Sequence, residues 1–290
     1  MTVTSQGNAH TTGWGMYGFE VLGFASPADI LCPVPPGWLG LTVVREEANG
    51  TLHRPTELAP GFMRFDESSA EVWLNDGERI ELDRDSMQVR LTTREPVTDD
   101  ALAHPYLGLP AAVASHWHGR QVLHGGSFLH HGAAWAVLGS KEGGKSSTLG
   151  WLRRRGVSVL SDDLVIVDGT VAFAGPRCID LRDDAAAWLG GRDVGSLGGR
   201  RRWRLDAGDV PAQIPLAGIV HLAWADDIGL DRLPPGDRLV RLFEHVVCAP
   251  DEADARAYLD LAGLPAWEFA RPRTFDRFEP AVDQLLEALS

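Results

Sequence analysis

A glycine-rich segment over residues 139–146 has the residue types and the spacing to bind phosphate. It fits the pattern G-x-x-x-x-G-K-[ST] and reads Gly139-Ser140-Lys141-Glu142-Gly143-Gly144-Lys145-Ser146. In such a loop, backbone N–H groups at the start of a helix wrap phosphate oxygens, and the glycines let the main chain come close. The pattern predicts a site for a nucleoside triphosphate such as ATP. The predicted binding residues are Gly139, Gly143, Gly144, Lys145, Ser146 and Ser147.

Two side chains at the end of this loop have separate predicted roles. Lys145 would reach the β- and γ-phosphates as a point charge, and the hydroxyl group of Ser146 would ligate Mg²⁺. We expect the loop to be exposed, so that Lys145 neutralises phosphate charge and does not pack in the core. Residues 135–138 read as an apolar strand, and residues 146–155 read as a helix that ends at Gly156. A strand before and a helix after are the context that a phosphate loop requires.

Two adjacent acids, Asp162 and Asp163, follow the loop after one helix and one short strand, residues 157–160. If the connection from residues 135–138 is right-handed, the two strands run parallel and their carboxyl ends lie at the same edge. Both carboxylates would then face the nucleotide, one as a base for an attacking hydroxyl group and the other as a partner of Mg²⁺. We expect Asp162 to be the base, because it ends the strand and Asp163 then faces the other side. An exposed turn rich in Asp is the alternative.

The organisation of the chain predicts an α/β fold in two parts. Residues 17–93 read as short strands and turns, residues 96–110 as a connector, and residues 111–117 as a short apolar helix. We therefore place a β-rich N-terminal domain at residues 1–110 and the phosphate-loop core at residues 111–290.

The core is predicted to alternate helices with strands and to contain one antiparallel element. Residues 164–167 and 171–173 should form a hairpin. The remaining predicted elements are strands at residues 214–224 and 267–269 and amphipathic helices over residues 239–247 and 278–289.

The composition limits the classes of function. The chain has 290 residues and a formal net charge of -13, which argues against nonspecific binding to nucleic acid. It has no run of about 18 apolar residues to span a bilayer, and its first residues lack the pattern of a signal peptide. A cytoplasmic protein without a membrane partner is therefore expected. Cys32, Cys178 and Cys248 are too few and too far apart for a disulfide framework, and we expect small buried residues.

Basic residues and histidines cluster locally. Residues 153–155 are three arginines that suit the last turn of a helix. The arginines of residues 200–204 are left open between a solvated surface and a contact to the nucleotide phosphates or the acceptor. Five histidines fall between residues 116 and 131, but zinc is not expected because no Cys lies near them. Among them, His124 can orient an acid or the substrate, or it can be a core histidine.

Several of these features occur together in one known superfamily. The features that match its spacing are His124-Gly125, Gly132, the phosphate loop, Arg155-Gly156, Asp162-Asp163 and, in place of a later Glu-x-Arg, Asp180-Leu181-Arg182. From residue 124 to residue 182, the chain therefore resembles the HPr kinase/phosphorylase superfamily. That resemblance implies a P-loop core related to phosphoenolpyruvate carboxykinase.

The resemblance also implies roles for individual residues. Lys145 would contact phosphates, and Asp162 would act as the base with the help of His124. Ser146, Asp163 and Asp180 would hold Mg²⁺, although Asp180 is shorter than the family's Glu and reaches less far. The glycine-rich signature that follows in the bifunctional enzymes is absent, so the resemblance does not extend to phosphorylase activity or to HPr as the acceptor.

The leading hypothesis is a Mg²⁺-dependent kinase that phosphorylates a hydroxyl group. The N-terminal region is similar to that of HPr-kinase-like proteins found beside peptide-modifying enzymes. This similarity implies a serine of a peptide or small protein as acceptor, for example a precursor of a ribosomally made and modified peptide. A small-molecule kinase for a sugar, an amino acid or an alcohol, and a nucleotide-binding regulator without transfer activity, are the alternatives. The choice among ATP, GTP and pyrophosphate stays open, as does the oligomeric state, including a homo-oligomer.

Overall fold

The computed structural model describes residues 13–48, 50, 54, 62–74, 78–248 and 255–289. The first residues of the chain, for which no signal peptide is predicted, lie outside the described residues. The first strands are β1 (Gly13–Met16), β2 (Phe19–Leu22), β3 (Cys32–Val34), β4 (Leu39–Glu47), β5 (Phe62–Phe65), β6 (Ser69–Trp73), β7 (Arg79–Asp83) and β8 (Gln88–Thr93). They form one mixed sheet in the order β3-β1-β2-β4-β8-β7-β6-β5. Apolar residues alternate along its central strands, and Leu41, Val89 and Leu91 are fully buried. The short strands predicted in this part of the chain are therefore present.

The segment predicted as a connector, residues 96–110, is mostly helical and buried from residue 99 onward, with a kink at His104, whose backbone is not helical. It contains α1 (Asp99–Ala101) and a π-helical turn (Leu102–Tyr106), and α2 (Gly108–Trp117) begins within it. Leu102 and Leu107 are fully buried, because α2 and the turn before it pack between the first sheet and the next one. Burial of these apolar side chains overrides the prolines that made the segment read as a connector.

The remaining strands are β9 (Gln121–His130), β10 (Ala133–Leu138), β11 (Val159–Ser161), β12 (Leu164–Asp168), β13 (Val171–Phe173), β14 (Cys178–Leu181), β15 (Arg192–Leu197), β16 (Arg200–Asp206), β17 (Gln213–Trp224), β18 (Gly229–Arg232) and β19 (Ala266–Arg271). The second large sheet has the order β10-β9-β12-β13-β17-β19-β18, and β11 pairs with β9. In addition, β10 pairs with β17 in parallel, while β14, β16 and β15 form a small antiparallel sheet. The hairpin of β12 and β13 confirms its prediction.

The relation between β10 and β11 differs in part from the prediction. β9 is antiparallel to both strands and lies between them, so β11 runs in the direction of β10 without pairing with it. The carboxyl ends of β10 and β11 still lie at one edge of the sheet. The intervening strand was not predicted: β9 forms a tight hairpin with β10, whereas its pairing with β11 is long-range.

The helices of the core are α3 (Lys145–Arg154), α4 (Asp183–Leu189), α5 (Pro235–Phe243), α6 (Ala255–Gly263) and α7 (Phe278–Ala288). Leu149 and Leu152 of α3 and Val282 of α7 are fully buried in one hydrophobic cluster. The predicted helix over residues 239–247 is too long, because α5 ends at Phe243 and Val246 forms a β-bridge with Leu123 instead. Within the described residues, no helix is both long and apolar enough to cross a bilayer.

Candidate functional site

The predicted phosphate loop joins β10 to α3 in a strand–loop–helix unit. The amide of Gly143 donates a hydrogen bond to the carbonyl oxygen of Ser140 at 2.9 Å, which tightens the loop. Gly144 has a φ of 78°. A Cβ atom at Gly144 would lie 2.7 Å from the Arg271 guanidinium and 2.8 Å from the Trp224 ring. Only glycine satisfies both the left-handed backbone and this close approach.

A buried cation, Arg271, supports the loop from the core side. Its Nη2 atom donates to the Gly143 carbonyl oxygen at 2.7 Å, and its Nη1 atom donates to the Ala223 carbonyl oxygen at 3.3 Å. The guanidinium lies 4.4 Å from the centre of the Trp224 ring, and no carboxylate of the described residues forms an ion pair with it. Burial lowers the pKa of Arg271 to about 9. The loop therefore lies over a positive charge that a bound phosphate can neutralise.

Lys145 is buried, and not exposed as predicted. It is the first residue of α3 and only 8% of its surface is exposed. Its Nζ atom donates to the carbonyl oxygens of Gly139 at 2.8 Å and Ser140 at 3.0 Å, so the side chain folds back over the loop. This burial lowers the pKa of Lys145. Its ammonium group must leave these two carbonyls to reach a phosphate.

Asp162 lies beneath the start of α3 and is only 3% exposed. Its Oδ1 atom accepts hydrogen bonds from the Ser146 hydroxyl at 3.1 Å and the Asp163 amide at 3.0 Å, and its Oδ2 atom accepts one from the Asp180 amide at 3.2 Å. Burial and the neighbouring charges of Asp163 and Asp180 raise the pKa of Asp162 to about 7. Among the described residues, no cationic side chain forms an ion pair with Asp162.

Asp163 turns away from Asp162 and opens into the cavity in front of the loop. Its φ of 68° is left-handed, and a third of its side chain is exposed. Its Oδ2 atom lies 3.3 Å from Nε2 of His104, a buried residue of the π-helical turn that was not predicted to belong to the site. Burial acts to raise the pKa of Asp163, but the electrostatic effects of His104 and of the guanidinium groups of Arg202 and Arg200 outweigh it and lower that pKa.

The two acids therefore point in different directions, as predicted, but with their places exchanged. Asp162 was expected to face the acceptor and Asp163 the metal or the structure. In the structure, Asp162 bonds to the loop serine and Asp163 faces the cavity. Asp162 and Asp163 lie in a bend between β11 and β12, with a left-handed backbone at Asp163, so the alternation of a regular strand does not apply to them.

Asp180 is held by arginines, an arrangement that argues against its predicted role as a Mg²⁺ ligand. Nε and Nη2 of Arg204 donate to its two carboxylate oxygens at 2.7 and 2.9 Å, and Nη1 of Arg202 donates to Oδ2 at 3.3 Å. Burial acts to raise the pKa of Asp180, but its hydrogen bond to Arg204 and the charges around it lower that pKa. A bidentate pair with a buried guanidinium leaves little of the carboxylate for a metal ion.

The arginine cluster of residues 200–204 separates into different environments. Arg202 and Arg204 are buried against Asp180, and Arg201 is exposed and pairs with Asp193. Only Arg200 lines the main cavity. Arg200 is therefore the residue of this cluster for which a contact to the nucleotide phosphates or the acceptor stays open.

The main cavity has a volume of about 910 Å³ and contains most of the predicted site. Lys145, Ser146 and Ser147 line its floor, and His124 is exposed to it beside Asp163. Partial desolvation of the ring in the cavity wall and the charge of Lys145 lower the pKa of His124. Tyr17, another residue that was not predicted, lines the cavity and donates from its hydroxyl to the Asp162 carbonyl oxygen at 3.3 Å.

Comparison with known proteins gives a distant structural likeness. No protein-family model and no curated protein matches the chain in sequence. Among solved structures, the fold is similar to the HPr(Ser) kinase/phosphatase from Coxiella burnetii, with 15% sequence identity and a TM-score of 0.32. The alignment covers 58% of this chain and 95% of that chain. At this level of likeness, the assignment of function rests on the site itself.

A divalent cation such as Mg²⁺ fits the surroundings of Asp162. The Ser146 hydroxyl and the Asp162 carboxylate, whose oxygen atoms lie 3.1 Å apart, are hard oxygen donors, which Mg²⁺ prefers. Burial and the neighbouring carboxylates of Asp163 and Asp180 raise the pKa of Asp162, and a bound cation would act against both effects. The described residues form no group of three or more metal-binding His, Cys, Asp or Glu side chains. Proteins usually hold Mg²⁺ through one or two carboxylates together with substrate phosphates and water.

Proposed function

We propose that this chain is a Mg²⁺-dependent kinase that transfers the γ-phosphoryl group of a nucleoside triphosphate, such as ATP, to a hydroxyl group. The proposed acceptor is a serine of a peptide or small protein, such as the precursor of a modified peptide. One observation carries the proposal: of two adjacent acids behind a phosphate loop, Asp162 bonds to the loop serine and Asp163 opens into the cavity. A protein that only bound nucleotide would not require the second acid in the open cavity.

The loop and α3 bind the phosphates in this mechanism. Backbone N–H groups at the start of α3 point toward the cavity floor, and the positive end of the helix favours an anion there. Lys145 exchanges the carbonyl oxygens of Gly139 and Ser140 for phosphate oxygens, while Arg271 adds positive charge from below. Ser146 and Asp162 would hold Mg²⁺, which neutralises phosphate charge when it is bound.

Asp163 acts as the base in this mechanism. A serine hydroxyl group is a weak nucleophile at neutral pH, so a carboxylate must lie within hydrogen-bond reach of it when it attacks. Asp163 is ionised and half-open, and His104, 3.3 Å from its Oδ2 atom, fixes its orientation. Asp162 is buried and cannot reach an acceptor in the cavity.

Two features support an extended peptide acceptor over a small molecule. Within the described chain, no strand pairs with the outer edge of β15, and such an edge can take up a peptide as an additional strand. β15 leads through its hairpin with β16 to Arg200 in the cavity wall. The cavity volume is also at the upper end of the range of about 300–1,000 Å³ for small-molecule sites, which leaves room beside a nucleotide.

Transfer of labelled phosphate tests the proposal. The protein is incubated with Mg²⁺ and γ-labelled ATP, once with a library of serine-containing peptides and once with a panel of sugars, amino acids and alcohols. Lys145→Ala should lower label transfer to peptide by roughly 10²-fold or more, since it removes a cation aimed at the reacting phosphates. The matched control Lys141→Ala removes the other lysine of the loop and should have little effect.

Thermal unfolding must accompany this assay, because Lys145 also bonds to two loop carbonyls. Wild-type transfer by a folded Lys145→Ala protein would contradict the kinase assignment. Label that enters only the small-molecule panel would replace the peptide acceptor with the small-molecule alternative.

A further inference from the structure

A wall of planar side chains lines the cavity on the other side of the phosphate loop from the acids. In the sheet, β10 lies between β9 and β17. The acids follow β11, which pairs with β9, whereas Trp224 ends β17 and Arg273 follows β19. The loop after β10 therefore separates Asp163 on one side from Trp224 and Arg273 on the other.

The members of this wall contact one another and the loop. The Trp224 ring packs against Gly144, and the Arg273 guanidinium lies 5.3 Å from the centre of that ring. Phe275 stacks on Phe278 with ring centres 5.5 Å apart, and Trp188 stacks on Phe275 at 6.2 Å. Trp224 and Phe275 are half-buried and Arg273 is exposed, and all three side chains line the cavity.

We propose that this wall, formed by Trp224, Arg273 and Phe275, binds the base of the nucleotide by stacking. The inference rests on the proposed function and names its phosphoryl donor: a nucleoside triphosphate, and not pyrophosphate or another donor without a base. Aromatic rings and the planar guanidinium group both stack on nucleobases, and such stacking tolerates different bases because each has a π-face. Trp224 of the wall packs against Gly144 of the loop. The base of a nucleotide can therefore reach the wall while the phosphates of the same nucleotide occupy the loop.

The in-line geometry of phosphoryl transfer supports a nucleobase in this position and not the phosphoryl acceptor. In phosphoryl transfer, the attacking and the leaving oxygen atoms lie roughly in line on opposite sides of the transferred group. With Asp163 receiving the proton of the acceptor, the acceptor approaches from the side of the acids. The nucleoside diphosphate then leaves on the opposite side, where the wall lies.

The test compares the binding of ATP with that of inorganic tripolyphosphate, both with Mg²⁺, by calorimetry. Wild type should bind ATP more tightly than tripolyphosphate. Phe275→Ala and Trp224→Leu should each weaken ATP binding by roughly 5- to 100-fold, the range of stacking on an aromatic side chain. Their tripolyphosphate affinity should stay at the wild-type value, and Trp224→Phe should restore most of the ATP affinity. Damage to the loop would lower both affinities together.

Phe243→Ala is the matched control, because Phe243 is an exposed aromatic residue of α5 that does not line the cavity. Unchanged ATP affinity in both wall variants would overturn the inference, and so would a defect confined to peptide binding. Failure of the wild-type protein to bind either ATP or tripolyphosphate would instead overturn the phosphate-loop assignment on which the inference rests.

Discussion

At the scale of single residues, the site depends on two neighbouring acids in different environments. Asp162 is buried and receives three hydrogen bonds, one of them from the loop serine. Asp163 is half-open and faces positive groups. Environments that move two carboxyl pKa values apart commonly divide the tasks of a catalytic pair. We therefore assign proton acceptance to Asp163 and metal binding to Asp162.

Substitution of each acid by Asn separates these roles. Asp163→Asn should reduce turnover by roughly 10²-fold or more with unchanged nucleotide affinity, because Asn tolerates the left-handed backbone but cannot accept the proton. Asp162→Asn should instead raise the Mg²⁺ concentration needed for half-maximal activity. Turnover measured across a Mg²⁺ titration distinguishes the two variants. An unchanged Mg²⁺ requirement in Asp162→Asn, together with full turnover in Asp163→Asn, would restore the original assignment.

The residues of the site differ in how far the sequence reveals them. Lys145, Ser146, Asp162 and Asp163 were predicted, because they belong to a short pattern and to the strand end that follows it. His104 and Tyr17 were not predicted, since each reaches the site from a distant part of the chain through tertiary packing. No local pattern marks either residue.

At the scale of elements, β16 explains the arginine cluster. Side chains of a strand alternate between its faces, so Arg200, Arg202 and Arg204 share one face and Arg201 lies on the other. Arg202 and Arg204 pair with Asp180, and Arg200 reaches the cavity. Period-two alternation over residues 200–204 is a signal that could have separated Arg201 from the others in the sequence alone.

Removal of the Arg200 charge tests the role of this strand. Arg200→Gln should raise the Michaelis constant for the nucleotide or the acceptor by roughly tenfold, the usual contribution of a charge-assisted hydrogen bond. Arg201→Gln is the control: its surface ion pair with Asp193 contributes little, so both constants should stay at their wild-type values. Steady-state kinetics with each substrate varied in turn measures both constants. Equal Michaelis constants in the two variants would mean that Arg200 is a surface residue that contacts neither substrate.

Local elements were predicted better than their arrangement. The strand, loop and helix around residues 139–146 and the β12–β13 hairpin follow from short-range patterns, and all are present. β9 was not predicted although it forms a tight hairpin with β10, and its place between β10 and β11 depends on the long-range pairing of β9 with β11. The helix of residues 111–117 was predicted and lies within α2, whereas the buried helical segment of residues 99–110 was missed because its prolines resemble a connector until the two sheets that cover it are known.

At the scale of the whole molecule, the two parts of the chain share one core. A single hydrophobic cluster contains Leu41 and Val89 of the first sheet, Val113 of α2, and Ile166 of the second sheet. The predicted boundary near residue 110 stays a prediction. The cavity itself draws Tyr17 and His104 from one side of that boundary and the phosphate loop from the other.

Two buried histidines link the stability of this core to pH. His221 is 3% exposed, and neither of its ring nitrogens has a hydrogen-bond partner among the described residues. Burial and the neighbouring His245 lower the pKa of His221 to about 3, and burial and Lys145 lower that of His245 to about 4. The unfolded chain takes up these protons near pH 6.5, whereas the folded protein does not. Stability contributed by the neutral rings is therefore lost as the pH falls below about 6.5.

His221→Leu should remove part of this acid sensitivity. Between pH 7.5 and pH 5, one such histidine accounts for a loss of about 2 kcal/mol in the free energy of unfolding, which the variant should not show. Urea unfolding at both pH values measures the difference. Ile219→Val, a buried change on the same strand without a titratable group, should lower stability equally at both. A variant with the full wild-type acid loss would place the sensitivity in other groups.

The left-handed backbone of Asp163 has a consequence for how this gene can vary. Single-base changes of an aspartate codon lead to Asn, Gly, His, Tyr, Glu, Ala or Val. Of these, Asn, Gly and His enter the left-handed region most readily, and none of the three has a carboxylate. Glu keeps the carboxylate, but it must enter a region that few side chains adopt. Position 163 therefore has no one-step neighbour that keeps both the backbone and the chemistry, and active relatives of this chain are expected to retain aspartate there.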